Sequence, residues 1–373
     1  MAKAVYVGVG SKAHKMKKAY IGIGGKARKV KKMYIGVGGK ARLCYSAELE
    51  RYGMAAALST ARYDMRAATV GKYALFAGGL APNPFFGENA SSSVDAYNTS
   101  LTKSTPTELS YKRCGHAAAS VGGYALFAGG ASSYNFLGYG NILSSVDAYD
   151  ASLTRSAAHI IGATAAIGGA AVGNYALFAG GTVDGILTKD TVTSDVLAYD
   201  PSLTFTTAPL LSVARANVKG AAVGNYALFA GGRAGSFCTT VDAYNASLTR
   251  TTATALSSTK NNSAAATVGN HAIFVGNTAS ADIYDASLTK TSAAILSTAR
   301  MGLAATTVGD YAIFSGGGVA DFCDASLTRS NIGTSMTGYD MGAATIGDYA
   351  LFAGGHSGEK SDTAYDSVEV YTA

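Results

Sequence analysis

Val121-Gly122-Gly123-Tyr124-Ala125-Leu126-Phe127-Ala128-Gly129-Gly130 is a strand written between two turns. Val-Gly-x opens a tight turn, Tyr-Ala-Leu-Phe-Ala is a short apolar run of strand character, and the glycine pair ends it. Close copies begin at Val70, Val172, Val223, Val268, Val308 and, with Ile for Val, at Ile346. The successive spacings are 51, 51, 51, 45, 40 and 38 residues, the length of a unit of four short strands.

A second anchor follows each copy: Val94-Asp95-Ala96-Tyr97, Val146-Asp147-Ala148-Tyr149, Val196-Leu197-Ala198-Tyr199 and Val241-Asp242-Ala243-Tyr244. Weaker versions stand at Asp282-Ile283-Tyr284, Asp321-Phe322-Cys323 and Val368-Glu369-Val370-Tyr371. Each unit therefore reads as four strands: an Ala-rich strand a, the Tyr-Ala-Leu-Phe-Ala strand b, the Val-Asp-Ala-Tyr strand c, and a strand d starting near Leu-Thr. Alanines suit strands that converge on an axis, where only small side chains fit. The last unit stops after its strand c, and a spare strand-like segment, Leu49 to Leu58, precedes the first anchor. Joining the two would close a ring without open edges. The expectation is an all-β, seven-bladed β-propeller over residues 47–373, preceded by a β-hairpin-type repeat segment over 1–46.

Composition agrees with a sheet-rich chain: 23 Tyr, 46 Gly, 5 Pro and no Trp among 373 residues. The net charge of +6 hides a division. Residues 1–46 hold 12 of the 30 Lys and Arg and no acid, so the remainder carries 18 cations against 24 carboxylates. The basic character is a local docking feature. Cys44, Cys114, Cys238 and Cys323 lie far apart without a CxxC pair, which disfavours a zinc site or a disulfide framework and suits a reducing cytoplasm. The N-terminus shows no signal-peptide h-region, and no apolar run approaches 18 residues, so neither Sec-type secretion nor membrane insertion is expected.

Within the basic segment, Tyr6-Val7-Gly8-Val9-Gly10, Tyr20-Ile21-Gly22-Ile23-Gly24 and Tyr34-Ile35-Gly36-Val37-Gly38 recur every 14 residues. Each is followed by a basic half containing Lys12, then Lys26 and Arg28, then Lys40 and Arg42. Strand, glycine turn and second strand make small hairpins, and the named Tyr, Lys and Arg side chains are the candidate docking residues.

Gly78-Gly79, then Val94-Asp95-Ala96-Tyr97-Asn98, then Ala214-Arg215 before the next Ala-rich strand, follow the order of Kelch repeats. The resemblance covers residues 48–373 and departs where a Leu-Thr-Lys or Leu-Thr-Arg step replaces the usual Trp. The N-terminal segment resembles the Tyr-Ile-Gly-Val-Gly-Gly-Lys-Ala-Arg repeats of structural proteins in phages and prophages of Gram-positive bacteria. There such repeats precede a variable distal domain. That resemblance implies a virion protein assembled in the bacterial cytoplasm, present in several copies, held to other virion proteins by residues 1–46 and displaying the propeller to a host-surface glycan. Two alternatives are a capsid or neck decoration protein without receptor role and a bacterial cytoplasmic Kelch-like interaction module.

No catalytic constellation stands out. His14, His116, His159, His271 and His356 fall at unrelated repeat positions, so neither a metal site nor the copper chemistry known on Kelch-like propellers is expected, and no cofactor is implied. The glycine runs lack a phosphate loop's Lys-Ser/Thr pair and following helix. Binding features are stronger. The b–c connections are long at 80–93, 131–145, 182–195 and 356–367, which makes neighbouring loops a wall on one face. Phe85, Phe86, Tyr134, Phe136 and Tyr139 ride on two of them and suit sugar stacking or loop packing. On the same face a basic register stands eight residues before five anchors: Arg62, Arg113, Arg215, Lys260 and Arg300. It reads either as an anion-binding ring or as a set of locks between blades.

Overall fold

The computed structural model describes residues 6–9, 12–15, 19–23, 26–30, 32–37, 40–46, 48–83, 87–135, 138–158, 162–184, 191–260, 264–358 and 363–373. Every regular element among them is a β-strand. Eight four-stranded antiparallel sheets form a propeller-like all-β fold.

Seven of the sheets carry the long repeat. In the second, Ala117–Val121, Tyr124–Ala128, Val146–Asp150 and Arg155–Ala157 pair in that order. The others follow the same plan, with inner strands Arg66–Val70, Gly168–Val172, Lys219–Val223, Ala264–Val268, Ala304–Val308 and Gly342–Ile346. The seventh sheet is built from both ends of the repeat region: Val368–Thr372 pairs with Glu50–Met54, the segment expected to complete it.

Each inner strand lies against the inner strand of the next sheet, and that of the seventh lies against that of the first. The approach is close. A Cβ on Gly220 would stand 2.1 Å from the Gly169 carbonyl oxygen, so this column tolerates only the smallest side chains. Between sheets, the core is made by the first three strands. Phe76 meets Tyr97 edge-on at 5.8 Å, and Phe127–Tyr149, Phe178–Tyr199, Phe229–Tyr244, Phe274–Tyr284 and Phe352–Tyr371 repeat the contact. Tyr97, Tyr149, Tyr244 and Tyr284 donate their hydroxyls to Ala56, Thr107, Pro209 and Thr254 carbonyls in the connection entering the same sheet. An aromatic body in the core with a satisfied hydroxyl is the economical use of a buried Tyr.

Strand d starts at the residue after each Leu-Thr, as expected, and the Leu-Thr pair closes the turn before it. Leu101, Leu153, Leu203, Leu248, Leu288 and Leu327 all have positive φ, from 58° to 65°, a region leucine rarely adopts. The turn is held by the preceding Asn or Asp: Asn98 Oδ1 accepts from the Ser100 and Thr102 amides, and Asp150, Asp200, Asn245, Asp285 and Asp324 do the same. Each of these leucines also packs on an apolar cluster between sheets, which offsets the backbone strain.

The 14-residue repeats form three two-stranded hairpins: Tyr6–Val9 with Lys12–Lys15, Tyr20–Ile23 with Lys26–Lys29, and Lys32–Val37 with Lys40–Ser46. Tyr6, Tyr20, Lys12, Lys26, Arg28, Lys40 and Arg42 sit on these strands. Ile21, Tyr34 and Ile35 are exposed.

Candidate functional site

The basic register is drawn into the interior. Arg62, Arg113 and Arg215 are fully buried and Lys260 nearly so. Each pairs with the strand c aspartate of its own sheet: Arg62–Asp95 at 2.8 Å, Arg113–Asp147 at 2.8 Å, Arg215–Asp242 at 2.9 Å, Lys260–Asp282 at 3.5 Å and Arg300–Asp321 at 2.7 Å. A second cation from the outer strand meets each aspartate from the other side: Lys103, Arg155, Arg250, Lys290 and Arg329. A serine three residues before the register, Ser59, Ser110, Ser212, Ser257 or Ser297, donates both its amide and its hydroxyl. The motif is thus Ser-x-x-Arg/Lys acting on a buried Asp. The guanidinium groups of Arg62, Arg113, Arg215 and Arg300 are thus committed to internal carboxylates of their own sheets, which argues against an anion-binding ring and makes them locks within each sheet, not the locks between sheets that were the other expectation.

The third sheet supports this. There Thr164 replaces the register cation, Leu197 the aspartate and Phe205 the outer-strand cation. All members of the network change together to apolar or neutral residues, and Tyr199 packs on Phe205 at 6.3 Å instead. In the seventh sheet Gly338 takes the register position, while buried Glu369 accepts from Arg51, Thr334 and Ser335.

The long connections do assemble. Leu80–Asn83 and Gly87–Ala90 from the first sheet pair, through Gly87–Ala90, with Ala131–Asn135 and Gly138–Ile142 from the second, giving the eighth sheet. A buried cluster beneath it joins Tyr63, Leu80, Ala90, Cys114, Ala131 and Ala165, with Tyr139 and Ala364 packed on it. The long connections of the first, second and seventh sheets, with the segments entering the first three sheets, therefore share one small core. Among the described residues Tyr134 is the exposed ring of this surface, stacked obliquely on Tyr139 at 5.0 Å. Tyr139 itself leans over Gly115, where a Cβ would stand 2.5 Å from its ring, so it supports the loops as much as it faces outward. Phe85, Phe86 and Phe136 lie outside the described residues. In the fourth connection Arg233 stacks on exposed Phe237 at 5.6 Å.

A third feature was not anticipated. The first residues of the inner strands of six sheets, with Met341 and Ala343 from the seventh, line one cavity of about 250 Å³. Small apolar side chains dominate its wall, and Arg66 and Lys219 are its charged members among the described lining residues. Asp64 pairs with Arg66 at 2.8 Å and accepts the Gly115 amide, and Asp340 meets His356 at 3.1 Å. Burial, then the Arg66 charge, brings the Lys219 amine down to about 8, against the pull of Asp64 and Asp340. The signal was present in the repeat: four residues before the anchor stand Ala117, Gly168, Ala264, Ala304 and Gly342, but Arg66 and Lys219 interrupt the column.

Cys114 and Cys323 are buried free thiols, and burial pushes Cys323 up to about 12. Among the described residues no helix is long and apolar enough to cross a membrane.

These features define a propeller-like all-β protein with a loop-built face around an axial cavity. It is similar in shape to the solved structure of YjhT, at TM-score 0.55 and 12% identity over 86% of this chain and 99% of that one, a likeness of fold alone. No protein-family model and no curated protein matches the chain.

Proposed function

We propose that the chain is a virion structural protein of a phage or prophage, docked by its N-terminal hairpins and displaying a closed, seven-bladed, Kelch-like propeller for recognition of a host-surface glycan. The observation that carries the docking half is the tandem of three hairpins in a segment, residues 1–46, that bears 12 cations and no acid, together with the resemblance of their repeat to phage particle proteins. A two-stranded hairpin is marginally stable alone, and so much like charge favours an acidic protein surface as the partner.

Ring closure is supported by three belts. Inner-strand neighbours run from first to seventh sheet and back to the first. The turn glycine of each sheet faces the c–d turn or outer end of the next sheet's strand c, from Gly71 against Ala151 to Gly309 against Ala373 and Gly347 against Thr99. Hydroxyls link the inner strands: Ser120 to the Thr69 carbonyl, Thr69 to Thr345, Thr345 to Thr307, Thr307 to Thr267 and Thr267 to Ala222. The links between the seventh and first sheets belong to the same series as the rest.

Recognition is assigned to the loop-built face, with Tyr134, Tyr139, Phe85, Phe86 and Phe136 as the contacts; weak single sites gain strength when several copies act together. The reading includes no catalytic step. The test is competition: purified protein in excess should reduce adsorption of the phage to its host, and a Tyr134→Ala variant should compete less well. Undiminished adsorption at saturating protein would remove the receptor role and leave the decoration reading. Absence of the protein from purified particles would favour the cytoplasmic interaction module.

A further inference from the structure

The axial cavity carries a pair of cations that the ionic locks do not use. Arg66 and Lys219 open the inner strands of the first and fourth sheets, and at the equivalent position the other five sheets have Ala or Gly. The Arg66 guanidinium is committed on one side to Asp64 and to the Asp64 and Met65 carbonyls. Asp64 is held by the Gly115 amide and Asp340 by His356. Among the described residues, the Lys219 amine has no hydrogen-bond or ion-pair partner.

We infer that the axial cavity is a binding site for a small oxyanion, a carboxylate or phosphate group, held by the Lys219 ammonium with Arg66 completing the charge. An amine half-buried in a cavity of about 250 Å³ has lost part of its hydration, and an anion entering the same space restores it. The asparagine beside it, Asn217, is exposed at positive φ and also lines the cavity, so its amide can donate to the same group. The inference needs only the fold and is independent of what the protein is attached to.

Calorimetric titration of the full chain in low salt at pH 7, with inorganic phosphate, citrate and uncharged glycerol as probes, tests it. Saturable binding of at least one anion is expected, with a dissociation constant on the order of a millimolar, and none of glycerol. Binding of phosphate alone or citrate alone identifies which oxyanion the site prefers. Lys219→Ala places at this position the residue already found at 117, 264 and 304, and should weaken binding at least tenfold; Lys219→Arg should retain it. Should Lys219→Ala melt early, Lys219→Met serves in its place. No saturable binding of either anion, or equal affinity in the Lys219 variant and the parent, overturns the inference.

Discussion

Arg215→Met removes one lock and measures what the network contributes. The Arg215 guanidinium gives three hydrogen bonds, to Gly231 O at 2.8 Å, Val213 O at 2.9 Å and Phe229 O at 3.0 Å, and forms an ion pair with Asp242 Oδ2 at 2.9 Å. Both partners of the ion pair are fully buried. Breaking such a pair from one side leaves a buried charge and costs about 3–5 kcal/mol. Here Asp242 keeps Arg250 at 2.9 Å and two bonds from Ser212, so its charge is not left bare. The lower end, about 3 kcal/mol, is therefore expected. The third sheet supplies the control, because it runs without the network. Arg215→Thr, Asp242→Leu and Arg250→Phe together copy Thr164, Leu197 and Phe205, and should recover at least half of the loss. Urea titration followed by tyrosine fluorescence and far-ultraviolet circular dichroism gives both differences. A loss under about 1 kcal/mol for Arg215→Met, or a triple variant no better than the single one, refutes the locking argument.

Three further outcomes follow from the same structure. His116 is fully buried where other sheets place Met65, Ile167, Val218, Leu303 and Met341, and burial, reinforced by Arg66 and Arg113, holds its ring well below the usual 6.5. The unfolded chain then takes up a proton that the folded chain refuses, so stability is full above about 6.5 and falls on acidification by up to about 1.4 kcal/mol per pH unit; His116→Met should flatten that slope in melts between pH 4 and 7. Deleting residues 368–373 removes the strand between Tyr349–Ala353 and Glu50–Met54, and should abolish cooperative folding of the whole repeat region, read by circular dichroism, instead of trimming one sheet. Tyr139→Ala should lower the melting temperature because Tyr139 packs on the buried loop cluster, whereas Tyr134→Ala, at an exposed ring, should leave it unchanged.

Much of this architecture was legible because the repeat is written in backbone chemistry. The Val-Gly-x-Tyr-Ala-Leu-Phe-Ala run predicts a turn and a buried strand, and Tyr73–Ala77, Tyr124–Ala128, Tyr175–Ala179, Tyr226–Ala230 and Tyr349–Ala353 are those strands. The pairing of Glu50–Met54 with the C-terminal strand was legible from the missing fourth strand of the last unit. The start of strand d beside Leu-Thr was legible too. The turn before it was not, because the side chain two residues before Ser captures two amides and turns the chain, a local competition that propensity does not reveal. The destination of the basic register also escaped, since a column of arginines has the same appearance in sequence whether it faces water or a buried aspartate. The useful signal was the joint loss of Thr164, Leu197 and Phe205 from the ionic pattern. For the axial cavity, the informative residues were the exceptions to the repeat, Arg66 and Lys219, and the repeat itself drew attention away from them.

The division of labour between hairpins and propeller is tested most directly by sedimenting purified particles with two purified proteins, the full chain and a chain beginning at residue 48. The account requires the full chain to sediment with particles lacking their own copy, and the shorter chain to stay in the supernatant while giving the same circular dichroism and melting behaviour as the repeat region of the full chain. Equal sedimentation of both proteins would place the docking surface on the propeller and contradict the account.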